Sequence, residues 1–248
     1  MTRKISAFGT LTGVNADVTA DYIPIIDASV ADASKNKKIT LDELKIALGI
    51  QGRPPTTSLF SFTANATSAT QSATYDAGKG LSVSKTDAGA SSTDRAIFNG
   101  KAVPVSTPWT ATGKIRVSPS LATEFVRAGL AIYNSSSGKL LFVGINNQSG
   151  AAHLVVMYFT ALGTFSSSPY DKTILPINVP LWYRITDDGT NNLFYISFDD
   201  GVTFTLVATC SRASFFTADK VGVAIETFGA ITVTPAMLVP HYDDPDFP

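Results

Sequence analysis

The chain has 248 residues, a net charge of −1 at neutral pH, 44% hydrophobic and only 16% charged residues. A charge so close to zero, with no basic stripe, excludes the electrostatic footprint of a nucleic-acid binder, and no apolar run reaches the roughly 20 residues of a membrane-spanning helix. The single cysteine, Cys210, rules out an internal disulfide and any Cys-x-x-Cys metal site.

Only three glutamates occur, Glu43, Glu124 and Glu226. Helices rely on such residues for their solvent faces, so the shortage argues for short strands joined by polar turns. The start, Met1-Thr2-Arg3-Lys4-Ile5, is basic but leads into no apolar segment of signal-peptide length. The expectation is synthesis in a cytoplasm without export by a signal of its own. Lys35, Lys37 and Lys38 read as a solvated turn.

In chain order, Tyr22 to Asp27 reads as a strand at a sheet edge, because Pro24 cannot donate to a ladder. Thr40-Leu41-Asp42-Glu43 is a capping box. Leu41, Leu44, Ala47 and Leu48 then share a helical face, and Gly49 supplies the stop. So short a helix needs a surface to dock on. Residues 51–56, with Pro54-Pro55, form an extended linker between a module at 1–50 and a β region at 57–248.

Residues 64–93 are rich in Ala, Ser and Thr and fit either surface loops or weakly apolar edge strands. Beyond them, Lys114 to Val117 alternates with Ile115 and Val117 inward. The runs 140–145 and 153–159 are continuously apolar, as in central strands buried on both faces. Phe194, Ile196 and Phe198 fall on one face, as do Val202, Phe204 and Leu206 on the next run, and Val221, Val223 and Ile225 on the last. Many short strands without intervening helices predict an all-β, two-sheet sandwich or barrel.

The sharpest local signal is Ser197-Phe198-Asp199-Asp200-Gly201-Val202-Thr203-Phe204. Asp-Gly between strand runs predicts a tight hairpin turn. The wider pattern resembles the Asp-box hairpin of sialidases and other β proteins. That likeness implies a structural role for Ser197, Asp199, Gly201, Thr203 and Phe204. Asp187, Asp188 and Asn191 in the preceding turn are the plausible set for a calcium ion, though they match no strict ligand spacing and turn chemistry explains them better. No other cofactor is expected.

Catalytic signals are sparse. His153 and His241 have no Gly-x-Ser-x-Gly elbow to work with. A retaining glycosidase needs two facing carboxylates, and among the glutamates only Glu226, on a late strand, is placed to be one of them. The expectation is a protein that is not an enzyme. Binding then falls to aromatic and amide side chains, since sugar C–H faces stack on aromatic rings. The candidates are Tyr133, Asn134, Asn146, Asn147 and Trp182, with residues 146–148 read as a turn.

Two resemblances rest on these residues. Asp21-Tyr22-Ile23-Pro24-Ile25-Ile26-Asp27, followed by Lys37-Lys38-Ile39-Thr40-Leu41-Asp42-Glu43-Leu44, resembles a short module of bacteriophage tail-fibre and other virion proteins. It implies attachment through Tyr22, Ile25, Leu41, Leu44 and Leu48. Residues 127–133, Leu181-Trp182-Tyr183-Arg184-Ile185, Phe194 to Gly201 and 221–225 resemble, in that order, strands of concanavalin-A-like sandwiches of the laminin-G or glucanase type. This implies a jelly-roll, sugar-binding or structural domain without the hydrolytic members' paired-carboxylate strand. Together they imply a virion protein, either a fibre-like appendage that binds host-surface polysaccharide or a capsid decoration protein, with a polysaccharide depolymerase as the third alternative. Its expected partners are other virion proteins and, by analogy with virion appendages, two further copies of itself in a homotrimer.

Overall fold

The computed structural model describes residues 22–26, 36–40, 55–67, 69–76, 79–87, 94–118, 125–148, 151–174, 181–229 and 235–243. The chain divides into two compact units, Met1–Gln51 and Gly52–Pro248. In the first, β1 (Tyr22–Ile26) and β2 (Asn36–Thr40) pair antiparallel, with Pro24 opposite Lys38. Both strands of a two-stranded sheet are edges, where a proline is tolerated. Leu41, Leu44, Leu48 and the helix predicted for them lie outside the described residues.

The second unit is a sandwich of two seven-stranded antiparallel sheets. Its strands are β3 (Phe62–Asn65), β4 (Ala69–Asp76), β5 (Gly80–Asp87), β6 (Asp94–Ala102), β7 (Trp109–Ser118), β8 (Phe125–Tyr133), β9 (Leu140–Gln148), β10 (Ala151–Ala161), β11 (Thr164–Ile174), β12 (Leu181–Asp187), β13 (Asn191–Ser197), β14 (Thr205–Ser211), β15 (Lys220–Phe228) and β16 (Ala236–Asp243). Sheet I has the order β11-β10-β9-β8-β15-β6-β3, and sheet II the order β14-β13-β12-β7-β16-β5-β4. This is the jelly-roll type of sandwich expected from the sequence.

Period-two alternation sets the facing surfaces of the sheets. On β12, Leu181, Tyr183 and Ile185 enter the core while Trp182, Arg184 and Thr186 face outward. Val221, Val223 and Ile225 of β15 are fully buried in sheet I. Of residues 64–93, undecided from sequence, the end of β3 and all of β4 and β5 are strands. Thr70, Ser72 and Thr74 point out and Ala69, Gln71 and Ala73 point in, so small and polar residues occupy both faces and the apolar alternation is faint.

One apolar assignment is corrected. Phe194 and Ile196 are buried, but β13 ends at Ser197, and Phe198 (63%), Val202 (80%) and Leu206 (49%) are exposed. The reason is a register shift between Phe194 and Tyr195 in the β13–β14 pairing, followed by a loop from 198 to 204 that belongs to neither strand.

Sheet I differs from sheet II in being buried on both faces along β8, β9 and β15. The long β10–β11 hairpin contributes to this cover. Its pairing shifts register three times between Val156 and Ala161, which bends it. Its tip then returns to β6, where the Ala96 amide donates to Leu162 O (2.8 Å) and the Phe165 amide donates to Asp94 Oδ2 (2.9 Å). Phe159 stacks on Phe142 and meets Phe165 edge-on beneath it. Across the middle of the sheet, glycines pair with glycines, Gly129 with Gly144 and Gly100 with Gly222. The strands approach so closely there that a methyl on Gly129 would be driven into Val143 O and the Gly144 backbone.

Candidate functional site

The turn between β13 and β14 is built from its own side chains. Asp200 (φ 60°) and Gly201 (φ 87°) both adopt left-handed backbone, the signature of a type I′ turn. The Ser197 hydroxyl donates to Asp199 Oδ1 (2.7 Å) and accepts from the Gly201 amide (2.9 Å). Thr203 donates to Asp199 through its hydroxyl (2.5 Å) and its amide (2.9 Å). These bonds, the Thr203 hydroxyl first and Ser197 next, hold the Asp199 carboxyl down at about 2.

The closed turn lies against the outward face of sheet II. Asp200 Oδ1 accepts from Trp182 Nε1 (2.7 Å) and from Lys114 Nζ (2.6 Å), Lys114 first among the causes that keep its carboxyl below the usual range. The His241 ring meets the Trp182 indole edge-on at 4.5 Å. Phe204 covers the Arg184 guanidinium at 3.6 Å, and Arg184 Nε donates to Thr112 Oγ1. Register aligns two rows across the strands, Trp182–Lys114–His241 and Tyr195–Arg184–Thr112–Asp243. Leu206 extends the second row beside Tyr195. The result is a shallow surface of aromatic rings, cations and hydroxyls, with Phe198 and Val202 exposed at its rim.

Gly201 tests how tightly turn and platform fit. A Cβ there would sit 3.1 Å from Trp182 Cδ2, on a backbone that side chains other than glycine strain to adopt. Gly201→Ala is expected to cost about 1–2 kcal/mol and to shift the Trp182 indole. The denaturant midpoint and the tryptophan emission spectrum measure the two effects.

The five candidate binding residues are not brought together. Tyr133 is buried (6% exposed), stacked on Phe98 at 5.2 Å and packed against Phe62. Asn134 is used by its own turn, accepting from the Ser137 amide and donating to Thr217 O. Asn146 and Asn147 are buried at the far end of β9, in strand where a turn was expected. The cause is register, since Tyr133 pairs with Leu140 and Asn146 pairs with Arg127, so the two sets lie at opposite ends of sheet I. Trp182 is on the other sheet. The calcium candidates are likewise occupied: Asp187 accepts from the Gly189 amide and pairs with Arg212, and Asp188 accepts from the Thr190 and Asn191 amides. Among the described residues, no group of three or more His, Cys, Asp or Glu is placed to hold a metal.

Glu226 points to the outward face of sheet I, but not into solvent. It is fully buried, with Oε2 accepting from Arg127 Nη1 at 2.7 Å, and Asp94 Oδ1 lies 3.5 Å from the same nitrogen. Burial pushes its carboxyl up to about 7 against the pull of Arg127. His153 Nδ1 and Asp171 Oδ1 pair at 2.7 Å farther along this face.

No protein-family profile and no curated protein matches the sequence. Solved structures do. A functionally unknown protein from Saccharomyces cerevisiae is 20% identical, with a TM-score of 0.52 over 76% of this chain and 97% of that one. A GH16 protein of a Bacteroides ovatus mixed-linkage-glucan locus is 11% identical over 70% of this chain and 84% of its own, with a TM-score of 0.42. The Emp47p carbohydrate recognition domain is 11% identical over 75% and 92%, with a TM-score of 0.39. The yeast structure shares the sandwich fold, and the likeness stops at fold.

Sequence reasoning passed over Lys114, Arg184 and His241. Lys114 and Arg184 stand on alternating strands, the positions a solvent-facing residue takes, and nothing local marks them as neighbours. Asp200 was legible as a turn residue, whereas its bond to Trp182 depends on how far the loop folds back.

Proposed function

We propose that the protein is a virion component whose sandwich binds host-surface polysaccharide through the outward face of sheet II. The observation that carries this reading is the alignment of Trp182, Lys114 and His241 beside Tyr195 and Arg184 on one shallow face, fixed by the Asp199 turn. Aromatic rings with hydrogen-bonding groups at their edges suit sugar rings, whose apolar faces stack while their hydroxyls bond sideways. The non-enzymatic part of the reading is supported by Glu226, which is buried and hydrogen-bonded to Arg127. The virion part is supported by the likeness of residues 21–44 to phage attachment modules, and a homotrimer follows from that same analogy.

The test uses the full chain and purified surface polysaccharide of a susceptible host. Tyr195→Ala is expected to weaken binding about tenfold or more with little change in thermal stability. A protein with no polysaccharide affinity in its natural form would instead be a purely structural decoration protein. Release of reducing ends would overturn the non-enzymatic reading.

A further inference from the structure

The outward face of sheet I carries a polar row under the β10–β11 hairpin. Asn146, Arg127 and Glu226 are cross-strand neighbours on β9, β8 and β15, and all are more than nine-tenths buried. Each has an atom without a hydrogen-bond partner: Asn146 Oδ1, Arg127 Nε and Glu226 Oε1. The hairpin tip is fastened over the same cluster. Asp94, which shares Arg127 with Glu226, is also the acceptor for the Phe165 amide, and the Phe165 ring lies 5.7 Å from the Arg127 guanidinium. Leu162 O, accepting from Ala96, is the second fastening.

We propose that the β10–β11 hairpin is a strap over this face, closed while Glu226 carries a proton and loosened when the proton leaves. Charge counting gives the reason. With Glu226 neutral, the Arg127 cation and the Asp94 anion balance. With Glu226 ionised, two carboxylates share one guanidinium, and the unmatched charge is fully buried with no protein donor on its Oε1. Such a charge is costly without water or a partner. The cheapest relief is to admit water, and the cover that bends at three register shifts is the part able to lift. The other charged groups do not cancel the effect. Lys85 of β5, bonded to Thr227 beside Glu226, favours the ionised form but is outweighed by burial, and the His153–Asp171 pair of β10 and β11 lies at the far end of the row. The rise of the Glu226 carboxyl to about 7 places the change near neutrality.

Hydrogen exchange on the full chain reads the strap directly, because its two fastenings are amides, those of Ala96 and Phe165. Their protection, corrected for intrinsic exchange, is expected to fall about tenfold between pH 6 and pH 8.5, and at both pH values to lie below that of the ladder amides within β8 and β15, which are released only on global unfolding. In Glu226→Gln the fall should vanish. In Asp94→Ala, Phe165 should be unprotected at both pH values. Strap amides as well protected as the ladder amides, or strap protection that does not change with pH, overturn the proposal. So does a Glu226→Gln protein with the natural pH dependence. If that variant does not fold, the natural profile and Asp94→Ala decide alone: Phe165 protection that persists in Asp94→Ala, or does not fall with pH in the natural chain, is fatal.

Discussion

Replacing Gly129 by alanine is expected to cost about 3 kcal/mol or more and to lower the melting temperature by about 10 °C. The added methyl would collide with Val143 O and lie 2.6 Å from Gly144 Cα, both backbone atoms of the paired strand. A flexible side chain could swing aside, but a strand buried on both faces cannot. The same change at Gly113 is the control. A Cβ there finds its nearest neighbour, Leu130 Cδ1, at 3.4 Å, an ordinary contact. Gly113→Ala should therefore stay within about 1 kcal/mol of the natural protein. Thermal melts of the two variants side by side make the measurement, and equal losses would refute the close-approach account.

At pH 8.5, where Glu226 is ionised, Arg127→Met is expected to be about as damaging, at about 3–5 kcal/mol, because it strands Glu226 and Asp94 without their shared cation. Adding Glu226→Gln to it should restore a large part of the loss, and a double-mutant cycle isolates the coupling. The pH dependence has a definite sign. Glu226 rises from the ordinary 4.5 to about 7 on folding, so the folded state holds the proton more tightly. Its contribution is fully present below about 4.5 and is lost as pH climbs through 7, to the extent of about 3 kcal/mol. Asp199 acts in the opposite sense. Its carboxyl is held down at about 2, so its contribution is present above the ordinary 3.8 and disappears as pH falls through 2. Stability should therefore be greatest in mildly acidic solution, and Glu226→Gln should flatten the alkaline side alone. Urea titrations at pH 5 and pH 8.5 check both statements.

The residues differ in how openly they announce these arrangements. The sandwich was legible because β12 of sheet II alternates strictly, and because the continuous apolar runs at 140–145 and 153–159 match strands covered on both sides. The Asp199 turn was legible because its chemistry is local, every partner lying within four residues. The binding face was not. Trp182, Lys114, His241 and Asp200 meet through registers that join strands distant in the chain, which a linear pattern does not encode. Asn146 misled for a related reason. An Asn-Asn-Gln run is typical of turns, yet here it extends a strand, its first amide donating to Gln148 Oε1 two residues on. Glu226 was singled out for chemistry, and only its pairing with Arg127 reveals a buried salt bridge.

Cys210 sits on β14, an edge strand of sheet II, with its thiol turned into the core at 4% exposure. As the sole sulfhydryl in 248 residues, it stays silent toward alkylating reagents for as long as that margin is sealed. The natural chain thus carries its own kinetic reporter: the rate at which a maleimide dye captures this sulfur counts how often the outermost strand peels away, with no label to engineer and no competing site to subtract.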